Sequence, residues 1–367
     1  MSNSRDGNLD FLRALAIIAV VLYHIAGMWP SDSIAHVKDY AGLGRHGVTL
    51  FFVLSGWLIG GIYWREQKAV GQVGWTPFWI RRWLRTLPPY YVGLMLGYLA
   101  VYFSRGERFD FRYLVFAQNY ESVIPYYLVS WSLCVEEHFY LILPLVCSII
   151  ARLPLRWALT ILWTLPLTAP FLRLLDSNVD ASLAFGYSKC ATHLVSEGLT
   201  LGVAAAFTAI NFGNVWSQIQ RVARIFSVPC FILFVSTTFW PTNTDFYIGQ
   251  SLIALCCFVW LAAAAGQRPL PFASTRFVNA VAISSYSIYL THSLAIHVGR
   301  LIAKSNGSVA SEIRCFACWL LLIVVFGTTF YFLVERPSIR VRDYISRRLL
   351  TKGVAPRAKT ELPLPLQ

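Results

Sequence analysis

The chain reads as a succession of apolar runs of nearly uniform length, cut by short clusters of charged and turn-forming residues. The runs fall near 9–29, 47–63, 88–104, 132–150, 156–174, 190–209, 225–240, 247–265, 278–302 and 315–334. They predict about ten helices, each roughly 17–25 residues long, the length that a hydrocarbon core about 30 Å thick requires. In lipid every backbone donor and acceptor must be satisfied without water, which a helix does within its own segment. The expected fold is all-α: a polytopic transmembrane helix bundle, with a membrane domain over 1–337 and a short basic tail over 338–367.

Composition supports the pattern. Of 367 residues, 56% are hydrophobic and 13% charged, about half the charged share with which a soluble domain covers its surface. The aromatic content of 15% also excludes a disordered chain. The net charge of +13 would suit nucleic acid, but its distribution argues against that partner. One alternating set of loops holds about 20 basic residues, running from Arg5 through Arg65, Arg81, Arg152, Arg221 and Arg268 to the tail with Arg357 and Lys359. The other set, including Lys38, Arg45, Arg112, Lys189 and Arg314, holds about 8. This bias places both termini in the cytoplasm, with the tail resting on anionic lipid.

The first run contains Asp10 and Arg13 and lacks a small-x-small cleavage site before Trp29-Pro30, so it is expected to remain as a helix. The eight cysteines lie in spans or at their ends, where no disulfide framework is expected. The Cys315-x-x-Cys318 pair lacks partners for a zinc site. Gly56/Gly60, Gly93/Gly97 and Gly198/Gly202 form G-x-x-x-G pairs, which predict close helix packing. Ser55-Gly56 could alternatively leave room for a substrate arm.

Ionisable groups inside lipid are costly and usually face a site or water. Those predicted to lie within spans are Arg13, His24, Glu136, Glu137, His138, His193, Glu197, His292 and His297. Arg13 and His24 are eleven positions apart, three turns plus about 20°, so they share a face at a separation of about 16 Å. Counting rise along each span places His24, His292, Glu136, Glu137 and Glu197 in one outer-half layer. Carboxylates near a histidine can orient the imidazole as a base towards an acceptor hydroxyl. Ordinary interhelical hydrogen bonds would use the same residues.

A second constellation lies at the cytoplasmic face, in Phe78-Trp79-Ile80-Arg81-Arg82-Trp83-Leu84-Arg85 before Pro88-Pro89. Guanidinium groups fork onto phosphate oxygens and tryptophan stacks on a base, which suits a nucleotide-bearing donor such as a coenzyme A thioester. Snorkelling arginines and belt tryptophans would give the same pattern.

These motifs together resemble the integral-membrane acyltransferase 3 family, over most of the chain. Leu9-Asp10-Phe11-Leu12-Arg13-Ala14 with Tyr23-His24 is similar to the family's opening helix and its Arg-x10-His spacing. Gly47-Val48-Thr49-Leu50-Phe51-Phe52-Val53-Leu54-Ser55-Gly56 resembles its second helix. Trp131-Ser132-Leu133-Cys134-Val135-Glu136-Glu137 is the most specific match. Tyr286-Ser287-Ile288-Tyr289-Leu290-Thr291-His292 and Glu335-Arg336-Pro337 follow in the family's order.

The resemblance implies a multi-pass enzyme of the bacterial inner membrane. It would move an acyl group, most simply acetyl, from cytoplasmic acetyl-CoA to a hydroxyl of a cell-surface or secreted carbohydrate. Acetyl-CoA is then a substrate and no cofactor is bound permanently. The acceptors it suggests are lipopolysaccharide O-antigen, exopolysaccharide and a lipo-chitooligosaccharide nodulation factor. It also assigns catalysis to Arg13, His24, Glu136, Glu137 and His292, and donor binding to Arg81, Arg82 and Arg85. His24 would act as base or accept the acyl group transiently, with Glu136 or Glu137 orienting it.

Phe11 and Ala14 stand where the family has glycines, His138 follows the paired glutamates in place of glutamine, and His193 stands where arginine is frequent. No hydrolase-like soluble domain follows the spans, which implies completion of transfer by the membrane part or a partner. The competing class is a transporter or flippase for a polysaccharide or glycolipid. It would favour inverted repeats and paired broken helices, and neither stands out in the sequence.

Overall fold

A computed structural model describes residues 6–29, 41–180, 186–241 and 244–353. Arg5, Lys38, Arg357 and Lys359, which count towards the predicted charge bias, lie outside the described residues. The described chain is an all-α bundle without strands. The longer helices are α1 (Gly7–Gly27), α2 (Gly47–Val70), α3 (Trp75–Arg105), α4 (Ser130–Ile150), α5 (Leu155–Thr164), α6 (Thr168–Leu175), α7 (Glu197–Asn211), α8 (Gly213–Ser236), α9 (Gln250–Ala264), α10 (Arg276–Ile302), α11 (Val309–Phe330) and α12 (Arg336–Gly353).

Among the described residues seven helical stretches are long and apolar enough to cross a membrane. The predicted runs 88–104, 190–209 and 278–302 fall in α3, α7 and α10, outside those seven. α7, with 15 residues, is shorter than a span needs, and both it and α10 are enclosed by protein. Seven of the first eight residues of α7 are buried, all but Thr200, and α10 packs on both α1 and α11. A helix enclosed by protein can carry polar side chains that lipid would not tolerate. The outer helices show the reverse pattern: α8 exposes Ile225, Phe226, Phe231 and Ile232, and α11 exposes Leu321 and Val324. So much exposed apolar surface suits lipid as the solvent.

Glycines set the closest approach in the core. A Cβ on Gly56 would lie 2.0 Å from the Leu199 carbonyl oxygen, and one on Gly202 would lie 2.3 Å from the Val53 carbonyl oxygen. The α2 and α7 backbones therefore touch directly, as the G-x-x-x-G spacing predicted. No substrate arm fits on this face of Gly56, and the neighbouring Ser55 hydroxyl is 2.5 Å from the Tyr140 hydroxyl.

Two local devices position the site. At the start of α1, Asp6 caps the Asn8 and Leu9 amides and also accepts from the Gly266 amide. The Asn8 side-chain amide donates to the turn after α9, fixing the level of Arg13. At the end of α11, Pro337 lacks the N–H that an unbroken helix would use. The chain passes it through a wider π-type turn, Tyr331–Glu335, which leaves Glu335 buried inside the bundle. The helix then continues as α12 through the boundary expected at 337 and packs along α3.

Candidate active site

The arginine- and tryptophan-rich segment at the predicted cytoplasmic face is helical. Phe78 to Pro89 forms the early turns of α3, which runs on through Pro88-Pro89. Trp79 and Trp83, one turn apart, stack with ring centroids 5.8 Å apart. The neighbouring arginines point to different partners because successive residues are rotated by about 100°. Arg81 turns to α2 and pairs with Glu66 at 2.7 Å. Arg82 turns to α4, where its guanidinium lies 4.2 Å from the Tyr140 ring centroid, donates to the Tyr140 hydroxyl and approaches Glu136 at 3.7 Å. The Tyr140 hydroxyl donates to Glu136 at 2.5 Å. Glu137, on the next position of α4, faces Thr86 and Trp83.

Arg85 lies deeper. The charges that act on it are Arg82, Glu335, Arg342 and Arg13, contributed by α3, the π-type turn, α12 and α1. Among the described residues no carboxylate lies within ion-pair distance of Arg85, whereas Arg13 holds Asp10 at 2.6 Å and Arg342 holds Asp343 at 2.6 Å. Glu335 accepts from Ser287 at 2.5 Å through one oxygen, and its other oxygen is buried without a hydrogen-bond partner. Arg13, Arg82 and Arg342 each lie against a carboxylate, so of these four guanidiniums Arg85 is the one with none in ion-pair range among the described residues. A guanidinium held in this way can fork onto a phosphate oxygen.

The predicted histidines meet. His24 of α1 and His292 of α10 lie edge to face with centroids 4.7 Å apart. His24 Nδ1 is 2.9 Å from the Val20 carbonyl, and His292 Nδ1 is 2.8 Å from the Tyr289 carbonyl. A carbonyl can only accept, so each ring in its neutral form carries its proton on Nδ1 and offers a bare Nε2. His292 is completely buried and its Nε2 has no hydrogen-bond partner, while His24 is half-buried. A pair of this kind can take a proton from a hydroxyl presented at the accessible ring and return it to a leaving group.

The glutamates correct the single-layer expectation. Neither Glu136 nor Glu137 bonds to His24 among the described residues. They belong to the Arg82–Tyr140 cluster, and backbone carbonyls orient both imidazoles. α3 and α4 interlock: Trp75 donates to Ser148 and Trp79 to the Tyr140 carbonyl. This register carries the arginines up to the glutamates. Tyr289 separates the levels, hydrogen-bonding Ser132 at 2.6 Å with its ring 5.8 Å from His292.

Glu197 also leaves the histidine layer. It forms a buried ion pair with Arg173 at 2.9 Å, and the same guanidinium donates to Ser251. His193 lies half-exposed beside Asp176, His138 holds Thr192 at 2.7 Å, and His297 is exposed. Sequence reading missed Glu335, Tyr140 and Arg342 as site residues. Ending the last apolar run at 334 put Glu335 just outside the span, where a carboxylate is unremarkable. Extending it by one residue would have flagged an intramembrane acid.

The candidate site thus has two parts, a histidine pair and an arginine-rich end, and α1 contributes a residue to each, His24 and Arg13. A family model described as an acyltransferase domain, that of the acyltransferase 3 family, matches residues 6–334. The chain belongs to that family. It is similar to the peptidoglycan O-acetyltransferase OatA of Listeria monocytogenes, 27% identical in an alignment of 325 positions, gaps included, that takes in 78% of this chain and 48% of the relative. It is also similar to the O-acetyltransferase OatA of Staphylococcus aureus, 24% identical in an alignment of 385 positions that takes in 96% of this chain and 60% of the relative. The chain spans about half the length of the first curated relatives it matches. No solved structure matches it.

Proposed function

We propose that this member of the acyltransferase 3 family is an O-acetyltransferase that moves acetyl from cytoplasmic acetyl-CoA to a carbohydrate hydroxyl at the outer face of the bacterial inner membrane. The observation that carries the reading is the His24–His292 pair, both Nε2 atoms bare, on the helix whose opposite end brings Arg13 to the Arg82–Arg85 cluster. The arginine-rich end faces the cytoplasm and both termini lie there.

Arg82, Arg85, Arg13 and Arg342 hold the phosphates of the donor by charge-assisted hydrogen bonds, and Trp79 and Trp83 flank the entry. The pantetheine arm follows the α1 face for the roughly 16 Å between Arg13 and His24. At the histidines the acceptor oxygen attacks the thioester carbon while His24 Nε2 takes the hydroxyl proton. The carbon–sulfur bond breaks, and the sulfur leaves as a thiol carrying the proton returned from the imidazolium. His292 lies behind His24 and shares the positive charge that forms there. The products are the sugar ester and coenzyme A, with no net change in protons.

The acceptor is a surface or secreted glycan. The Listeria relative's name specifies peptidoglycan; O-antigen, exopolysaccharide and a lipo-chitooligosaccharide nodulation factor share the same hydroxyl chemistry. Membranes containing the full chain, given acetyl-labelled acetyl-CoA, should place label in one glycan or glycolipid fraction. Failure to label any fraction from an acetylated source strain, with the protein present in the membrane, would overturn the reading. Normal glycan acetylation together with blocked glycan export in a deletion strain would point to transport instead.

A further inference from the structure

A cavity of about 500 Å³ opens on the outside of the bundle between α4, α5 and α7. It lies on the face of α4 turned away from Arg82: Glu136 and Tyr140 point to the arginine, whereas His138, Phe139, Ile142 and Val146 line the cavity. Its depth is apolar, walled by Leu143, Cys147 and Leu162, and its mouth is flanked by Leu141 and Ile142, which are 45% and 52% exposed. In a bilayer that mouth opens onto hydrocarbon. Its volume lies in the roughly 300–1,000 Å³ range of small-molecule sites.

The end towards the start of α4 is different in kind. His138 and Thr192 meet there at 2.7 Å, and Tyr120 and His193 stack with rings 9° from parallel. Tyr120 is 42% exposed, and His193 Nε2 lies 3.3 Å from the Asp176 carboxylate. An exposed aromatic face suits a sugar, whose C–H face packs on the rings, while Asp176, already bonded by Tyr187 and Asn178, holds the His193 ring in place. The site therefore changes along the bilayer normal from hydrocarbon-like to sugar-like, and its open side faces lipid.

We infer that this groove holds the acceptor as a lipid-anchored glycan: a single hydrocarbon chain lies between α4, α5 and α7, and the first sugar rests on Tyr120 and His193 beside Asp176. The assignment of the occupant as acceptor rests on the acetyl-transfer reading. The occupant must come from the membrane, because the open side is lipid-facing. It must be sugar-headed, because a phospholipid headgroup would set its phosphate against the Asp176 carboxylate. α4 connects this groove to the chemistry, since Ser132, six positions before His138, bonds Tyr289 beside His292.

The test uses the full chain in nanodiscs and an alkyl glucoside bearing a diazirine near its chain end. Cross-links should map to 139–147 and 162–165. Unlabelled alkyl glucoside should compete at least tenfold better than the alcohol of the same chain length. The double variant Tyr120→Ala/His193→Ala should lose that preference while still being labelled. Thr200→Phe, or Val146→Phe if the first does not fold, should abolish labelling. Equal competition by the alcohol would mean bulk-lipid hydrocarbon only and overturn the proposal, as would label spread over α8 and α11. Wild-type rates of acetyl transfer to the native lipid-linked acceptor in Thr200→Phe membranes would also overturn it, while leaving acetyl transfer intact. Groove labelling together with absence of any transfer would uphold the site and sink the transfer reading instead.

Discussion

His24 and His292 meet edge to face with centroids 4.7 Å apart, each imidazole holding its Nδ1 proton on a carbonyl of its own helix. Backbone carbonyls, unlike carboxylates, add no charge, so the pair is tuned as two neutral bases in an apolar layer. His292→Asn should reduce the turnover of acetyl transfer by about 10- to 100-fold without raising KM for acetyl-CoA, because its ring shares charge and does not touch the donor phosphates. An equal rise in KM would place His292 in donor binding.

Arg85 lies among Arg82, Arg13 and Arg342 with no carboxylate in ion-pair range among the described residues. Arg85→Met should raise KM for acetyl-CoA by about 10- to 100-fold, the scale of one charge-assisted hydrogen bond. The penalty should shrink with acetyl-pantetheine, which lacks the nucleotide phosphates. Arg81→Met should cost less than about threefold, because Arg81 belongs to Glu66. Equal penalties for Arg81 and Arg85 would contradict the division between them.

Arg173 and Glu197 are both fully buried and pair at 2.9 Å. Glu197→Leu strands the guanidinium and should destabilise by about 3 kcal/mol, read as a lowered unfolding temperature in detergent. Arg173→Met/Glu197→Leu should recover most of that loss. A double variant as unstable as the sum of its parts would mean that Arg173 matters chiefly through its bonds to Leu194 and Ser251.

Asp176 stands just beyond the apolar stretch that ends at Leu175. The Tyr187 hydroxyl, with the Asn178 amide and His193, pulls its carboxyl down to about 2 from an ordinary 3.8. A depressed acid contributes stability in full above its ordinary value and loses it as pH falls through about 2. Order in the 187–195 segment should therefore be unchanged between pH 7 and pH 5, measured by hydrogen exchange corrected for intrinsic rates. Loosening within that window would assign the order to another group.

The sequence made the architecture legible where physics is one-dimensional. Apolar run length located the helices, and the G-x-x-x-G pairs at Gly56 and Gly202 marked the α2–α7 contact. Three turns of helix placed Arg13 and His24 on one face, and rise counting brought His24 to His292. It did not foresee that Glu136 would meet Arg82, because that depends on how far α3 slides along α4, which Ser148 and Trp75 help decide. Periodicity holds no information on that register. Glu335 was hidden by a turn type: a π-type widening before Pro337 turns inward a residue that run length had assigned to the loop.

The most direct test of the account is acetyl transfer by His24→Ala in membranes, compared with wild type at equal protein level and equal thermal stability. The account predicts a loss of at least about 100-fold, since Nε2 of His24 is the accessible base, with acetyl-CoA binding retained through Arg82 and Arg85. Acetylation at the wild-type rate by a folded His24→Ala protein would contradict it.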